Sequence, residues 1–247
     1  MVTREMEFPG STGDRLAGTL HEPEGDVRGS VLLAHCFTCS KDLHTMTRLA
    51  RGLAAAGYAV LRFDFTGIGE SGGSFARTTV SHDVRDLVAA ATALIEEGYG
   101  PCGLLGHSMG GAACLLAAER LKTVRSVVVL GAPASPSHVT HLLGDPDGDD
   151  EVSVTIGGRT FTLARSFFDD LERHDQAGAV AALGRPLLVL HAVDDRVVGV
   201  EQGERNFAAA RQPKAFVPLL DADHLLSRRA SAEQALTYVR TWFDATL

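Results

Sequence analysis

The chain has 247 residues, 45% of them apolar and 22% charged, and a formal net charge of −8. These values describe a soluble globular protein long enough to bury one full α/β core. The negative charge argues against a nucleic-acid partner and against docking on an anionic membrane surface.

The first residues carry Arg4, Glu5 and Glu7 and lack the apolar stretch of a leader peptide, and no apolar run is long enough to span a bilayer. The expected location is the cytoplasm. Four cysteines, Cys36, Cys39, Cys102 and Cys114, do not make a disulfide framework for a chain of this length.

Residues 4–8 and 15–22 alternate as strands around the turn 10–14, which predicts an opening antiparallel hairpin. Residues 30–35 form a continuous apolar run, the pattern of a strand buried on both faces of a parallel sheet. A loop over 36–43 leads to a helix over 45–56, with Met46, Leu49, Leu53 and Ala56 on one face and Gly57 at its end. A strand is predicted over 59–65. The Gly-rich loop 66–73 lacks the lysine and the spacing of a phosphate cradle. Residues 80–97 carry Val84, Leu87, Val88, Ala91 and Leu94 at helical spacing, and a short strand over 102–105 and a helix over 112–119 follow. Residues 125–130 read as another buried strand.

Residues 135–183 break this rhythm. They hold an acidic run over 145–151, a hairpin signature at Gly157–Gly158 and a helical pattern over 166–173. The segment is too long for a plain connection and is expected to be a small cap or lid. The acidic run has no EF-hand spacing and reads as a solvated loop. A strand over 186–191, a helix over 200–211, a strand over 216–220 and a helix over 232–246 complete the chain. Repeated βα units imply a mostly parallel sheet with helices on both faces.

Gly106–His107–Ser108–Met109–Gly110 reads G-x-S-x-G between a strand and a helix. In that setting the pattern is a nucleophile elbow, a strained turn that lifts a serine hydroxyl toward solvent. The helix after it aims free N–H groups and a partial positive charge at the place where an oxyanion would form. In a parallel sheet the site lies at the C-terminal strand ends, and three other strand ends carry the remaining chemistry. The strand ending at His191 leads into Asp194 and Asp195, which compete as the acid. The next leads into Asp221, Asp223 and His224, with the two aspartates better suited to capping the loop. The order Ser108, Asp, His224 gives a nucleophile, a general base and a group that orients the imidazole. One oxyanion donor is expected from the N–H of Met109. A second is assigned to Phe37, in the loop His35–Cys36–Phe37–Thr38. His35 is expected to be a structural loop residue and His107 to pack or hydrogen-bond locally.

These residues resemble the α/β-hydrolase superfamily over nearly the whole chain. The motifs are His35–Cys36–Phe37, Asp64 through Ser71, Gly106 through Gly111, His191 through Val198 and Ala222–Asp223–His224. In that superfamily the acid stands four residues after the strand-end histidine, which implies Asp195. Residues 34–41, 62–67 and 222–227 look more closely like esterase-like hydrolases that are often fused to an OsmC-type domain. Here one α/β-hydrolase domain is expected over 1–247, with 135–183 as its cap. The resemblance implies a carboxylesterase or acyltransferase favouring short acyl groups.

The expected reaction is cleavage of a small-molecule carboxylic ester through a Ser108 acyl-enzyme, with no metal or cofactor. Amide or thioester cleavage, or acyl transfer, would use the same parts. A non-catalytic ligand-binding protein on this fold is the rival, and the intact Ser108, Asp195 and His224 count against it. Serine rather than aspartate at 108 disfavours dehalogenase and epoxide-hydrolase chemistry. The oligomeric state and the acyl pocket are left open, with Leu142, Leu143, Phe161, Phe167 and Phe168 as lining or as a small cap core. Where relatives commonly have glycine, Cys36 and Cys39 form C-x-x-C beside the oxyanion loop. They read either as a redox pair, whose oxidation would deform the loop, or as two small reduced residues. A cytosolic setting favours the reduced form. No second Cys/His pair with ligand spacing suggests zinc.

Overall fold

The computed structural model describes residues 1–100, 102–143, 150–156 and 159–247. The expected turn at Gly157–Gly158, Asp145, Asp147 and Asp149 of the acidic run, and the side chain of Leu142 lie outside the described residues.

Strands β1 (Val2–Pro9) and β2 (Arg15–Glu22) pair antiparallel, with Val2 opposite Glu22 and Pro9 opposite Arg15. The βα rhythm follows as β3 (Gly29–Ala34), α1 (His44–Ala55), β4 (Tyr58–Phe63), α2 (Val80–Glu96), β5 (Gly103–His107), α3 (Met109–Ala117) and β6 (Ser126–Leu130). After β6 come α4 (Thr140–Leu143), β7 (Glu151–Ile156), β8 (Arg159–Ala164) and α5 (Arg165–Leu171). The chain then runs through α6 (Gln176–Ala182), β9 (Leu187–Ala192), α7 (Val200–Ala209), β10 (Lys214–Leu219) and α8 (Arg229–Thr246).

Among the described residues, eight strands form the main sheet in the order β1-β2-β4-β3-β5-β6-β9-β10. From β4 to β10 all neighbours are parallel; β1 and β2 form an antiparallel edge. The central strands are buried on both faces, as their unbroken apolar runs require. Alternate residues supply separate cores. Leu32, Leu61, Leu104, Val127 and Val189 face α2 and α3, while Val31, Val60, Leu105, Val128 and Leu188 face α1 and α8. The parallel strands carry their C-terminal ends, and the loops beyond them, to one side of the molecule.

A third cluster sits above those ends. Phe167, Phe168, Leu163 and Val154 pack with Val80 of α2 and Met109 of α3. The Phe167 ring lies 5.0 Å from the Phe37 ring, and Phe161 lies 5.3 Å from Phe75. The β7–β8 hairpin and α5 therefore rest on the two loops expected to supply oxyanion donors. Within 135–183, α6 behaves differently. Its Val180 joins the core beside α3, and the Gln176 amide donates to Pro133 O at 2.7 Å and to Asn206 Oδ1 at 3.0 Å. The sequence reading misses this helix because QAGAVAA carries no amphipathic stripe.

One carboxylate ties the upper segment to the body. Asp170 accepts from Ser81 N at 2.8 Å and Ser81 Oγ at 2.6 Å, and its other close partner is His174 Nε2 at 3.0 Å. Burial pushes the Asp170 carboxyl up, but the Ser81 and His174 bonds outweigh it and hold the group below the usual range. The folded state therefore favours the ionised form. Its stabilisation is full above the ordinary carboxylate range and is lost as pH falls through the lowered value. Replacing Asp170 with Asn is expected to weaken the docking of α5 by about 1.5–3 kcal/mol, the range for hydrogen bonds to a charged group. Amide exchange over 165–174 should then quicken while the sheet core is unchanged; equal exchange in both proteins would show that the phenylalanine cluster alone holds the segment.

Candidate active site

The turn between β5 and α3 is as tight as its glycines suggest. Ser108 sits at φ 54° and ψ −124°, a region that costs a non-glycine residue of order 1–3 kcal/mol. Its N–H donates to Leu130 O at 2.8 Å, which clips the turn to β6. A Cβ on Gly106 would meet Gly110 O at 2.5 Å, and one on Gly110 would meet His35 O at 2.3 Å. With no side chains there, α3 starts directly against the end of β3.

Three strand ends converge on the Ser108 hydroxyl. Ser108 Oγ lies 3.0 Å from His224 Nε2, and His224 Nδ1 lies 2.7 Å from Asp195 Oδ2. The other Asp195 oxygen, Oδ1, accepts from Val197 N at 2.8 Å and Val198 N at 2.9 Å. Burial would raise the Asp195 carboxyl, but the bond to His224 and these two N–H groups hold it below its usual range. An ionised Asp195 accepts a hydrogen bond from the Nδ1–H of His224, which leaves Nε2 free to accept from Ser108. Asp194 is exposed and Asp223 caps the loop, accepting from Ser227 N at 2.7 Å. Of the two competing acids, the structure brings Asp195 to the imidazole.

The loop after β3 faces the same hydroxyl. Among the described residues, the N–H groups of Phe37 and Met109 donate to no other protein group. His35 sets the direction of the Phe37 N–H. Its Nδ1 bonds Cys36 O at 2.7 Å, and its Nε2 accepts from Phe65 N at 3.2 Å. In a trans peptide the N–H points opposite the C=O, so holding the Cys36 carbonyl turns the Phe37 N–H the other way. Burial pushes the His35 imidazole below its usual range and keeps it neutral, as that pair of bonds requires. The loop is anchored beyond it by Asp64, which is fully buried and accepts from Lys41 N at 2.6 Å and from Glu70 N at 3.0 Å.

Known proteins share this arrangement of chain. A family model described as serine aminopeptidase, S33, matches residues 25–145. The esterase domain of a Rhodothermus marinus protein is 40% identical over 98% of both chains, with a TM-score of 0.82. The chain belongs to the α/β-hydrolase superfamily. A monoacylglycerol lipase of Mycolicibacterium smegmatis is 29% identical over 231 residues, 79% of this chain and 80% of that one. Est1E of Butyrivibrio proteoclasticus, solved with ferulic acid bound, is 20% identical with a TM-score of 0.86 over 98% of each chain, a likeness of fold.

In this α/β hydrolase a cleft of about 210 Å³ opens over Ser108 and His224, with Cys36, Cys39, Val139 and Leu143 among its walls. Leu143, left open between lining and cap core, lines the cleft and also joins the apolar cluster above it. Phe161, Phe167 and Phe168 belong to the phenylalanine cluster above it. Among the described residues, no helix is long and apolar enough to cross a membrane.

The cysteines depart from expectation. The sequence reading favours two reduced thiols, whereas Cys36 and Cys39 are joined as a disulfide. The reason is local: the loop turns so that Cys39 N donates to Cys36 O at 3.1 Å, which brings the two Cα atoms to 5.2 Å, inside the range a bridge spans. Cys102 and Cys114 are free.

Other residues escape or depart from the sequence reading. His107, expected to pack or hydrogen-bond locally, instead reaches across the site, its Nε2 bonding the carbonyl of His224 at 2.8 Å, and burial together with the nearby His224 pushes its imidazole down to about 3. It therefore donates as a neutral ring and fixes the backbone that carries His224. Gly131 takes φ +57°, a left-handed conformation that favours glycine, beside the His224 and Asp195 pair; a Cβ there would make only an ordinary contact, 3.4 Å from His224 Nδ1. Asp83 lines a smaller cavity beside Phe37 and Met109, and burial, then Asp86 and Asp170, push its carboxyl well above the usual range. A lone aspartate in a helix gives no sequence signal for such a place.

The contact between α3 and β3 can be tested directly. Gly110→Ala puts a Cβ against the carbonyls of His35 and Ala34. Overpacking against backbone costs about 1–3 kcal/mol. A denaturant titration is expected to show that loss with an unchanged m-value, and a fully stable variant would mean that α3 can shift without strain.

Proposed function

We propose that this α/β hydrolase cleaves carboxylic esters of short acyl chains, with Ser108 as nucleophile, His224 as general base and acid, and Asp195 as the group that orients and charges the imidazole. The observation that carries the reading is the unbroken chain of bonds from Asp195 Oδ2 to His224 at 2.7 Å and from His224 Nε2 to Ser108 Oγ at 3.0 Å. The relatives named as an esterase domain and a monoacylglycerol lipase support an ester over other acyl compounds.

Mechanism follows from that geometry. Ser108 Oγ attacks the ester carbonyl carbon as its proton passes to His224 Nε2. Asp195 stabilises the imidazolium without taking its proton. The carbonyl oxygen becomes an oxyanion and is held by the N–H groups of Phe37 and Met109, each worth about 2.7–4 kcal/mol by analogy with a lost oxyanion donor. His224 then protonates the leaving alcohol, and water attacks the acyl-enzyme by the reverse of the same steps. The segment carrying Val139 and Leu143 acts as a cap that closes the acyl side of the cleft and favours short chains. Apolar walls suit the acyl group better than a charged one.

Hydrolysis of p-nitrophenyl esters of increasing chain length tests the reading. Short chains should turn over, and activity should decline as the acyl group lengthens. Ser108→Ala should lose at least about 10³-fold in kcat, and Asp195→Asn about 10⁴-fold, with the fold retained by circular dichroism. Turnover that survives Ser108→Ala would end the proposal. Hydrolysis confined to aminoacyl amides would replace the ester with the substrate class of the matched family model.

The acid side of the pH profile provides a second test. Because Asp195 is held below its usual range, it stays ionised where free carboxylates titrate. The acid limb of log kcat/KM should therefore keep a single-proton slope through that range. Steepening to two protons there would mean that Asp195 titrates normally.

A further inference from the structure

We infer that the Cys36–Cys39 bond is a thiol–disulfide exchange site, open to a small or protein dithiol, whose state sets the position of the Phe37 N–H. The inference rests on the assignment of that N–H as an oxyanion donor. It goes beyond it in naming a second reactive centre and the chemical class that reacts there.

Position is the first argument. The bridge spans Phe37 and Thr38, so the proposed donor lies inside the closed loop. Both cysteines line the cleft that holds Ser108 and His224, so the bond borders the space a substrate enters. Access is the second. Cys36 is buried and Cys39 is partly exposed, so of the two residues Cys39 is the one an incoming thiolate meets first. Cys36 is then the leaving thiolate.

The third argument is how the loop is held. On one side His35 is fixed between Cys36 O and Phe65 N. On the other Lys41 N is fixed on the buried Asp64. Between these anchors, the backbone of residues 36–39 is tied by the bond from Cys39 N to Cys36 O and by the disulfide, while the Phe37 ring rests on Phe75 and Phe167. Opening the bridge loosens the stretch carrying Phe37, while Ser108, His224 and Asp195 sit on other loops. The bridged loop keeps the His35 bond that directs the Phe37 N–H. The oxidised form is thus the active one, the reverse of the deformation that the C-x-x-C pattern alone suggests.

The exchange is balanced. A thiolate of the dithiol attacks Cys39 Sγ, the Sγ–Sγ bond breaks, and Cys36 leaves as a thiolate that takes a proton. The second thiol of the reductant loses its proton and displaces Cys39, closing the reductant's own disulfide. The protein gains two electrons and two protons, and the dithiol loses them.

The test equilibrates the whole chain in buffers of reduced and oxidised dithiothreitol. Samples are quenched with acid, alkylated with N-ethylmaleimide and read by peptide mass, and p-nitrophenyl acetate hydrolysis is measured along the same series. The peptide holding residues 36 and 39 should take two alkyl groups at the reduced end and none at the oxidised end. Over the same midpoint kcat should fall about tenfold or more, within the 10²–10³ that complete loss of one oxyanion donor would cause, with KM little changed. The double variant C36S/C39S should match the reduced enzyme and ignore the redox buffer, while C102A should keep the full response. Thiols that alkylate at every ratio, or only after denaturation, overturn the exchange site. Exchange with unchanged kcat overturns its hold on Phe37. Alkylation that titrates in a protein with no Ser108-dependent hydrolysis in either state supports the exchange site and overturns the esterase reading.

Discussion

The site depends on one close approach of backbone to backbone. Gly110 begins α3 with the carbonyls of Ala34 and His35 where its side chain would be. No other residue lets the helix start so near the end of β3. That contact brings Met109, the first residue of α3, and Phe37, in the loop after β3, to the cleft that holds the same hydroxyl. It also forces the turn that puts Ser108 at positive φ. The strain is local and is repaid by the Leu130 bond and by burial of α3 between the sheet and α2.

Around this contact the polar groups divide the work. Neutral imidazoles hold backbone: His35 holds the Cys36 carbonyl, His107 the His224 carbonyl, and His191 the Val198 carbonyl at 2.8 Å. Burial lowers all three, so each remains a neutral donor beside an ionised Asp195. A site with several buried imidazoles beside the buried Asp64 and Asp195 carboxylates would otherwise gather charge it could not solvate. Just after β4, Asp64 joins Lys41 and Glu70 and gives the loop after β3 a fixed base.

Much of the fold is legible in the sequence because parallel strands buried on both faces announce themselves as apolar runs. Val31–Leu33, Val127–Leu130 and Leu187–Leu190 are such runs. Ser108 and Asp195 are legible for a related reason, since each stands just after such a buried strand, β5 and β9, whereas His224 follows β10, which is only partly buried. The choice between Asp194 and Asp195 was not in the residues themselves, since two adjacent acids differ only in which faces inward. What stayed hidden depends on long-range geometry. The bond from His107 to His224 spans 117 residues, and α6 owes its form to Pro133, Asn206 and the α3 surface rather than to its own pattern. The cysteine pair was visible as a spacing, but its bridging follows from the turn over residues 36–39.

The segment between β6 and β9 has an architectural consequence. It leaves and rejoins the sheet at neighbouring strands, paired from Val127–Leu187 to Leu130–Leu190. Its hairpin and α5 meet the body chiefly through aromatic rings and the Asp170 clasp. Such a piece is a cassette. Chain of another length and shape could be grafted there with the strand register intact, recasting what enters the cleft while leaving the elbow and the His224 loop alone. The graft has one fixed seam, Gly131, which begins the departure from β6 and lies against both Asp195 and His224. A chimaera cut before that glycine would carry the new segment against the His224–Asp195 pair itself; one cut after it would not.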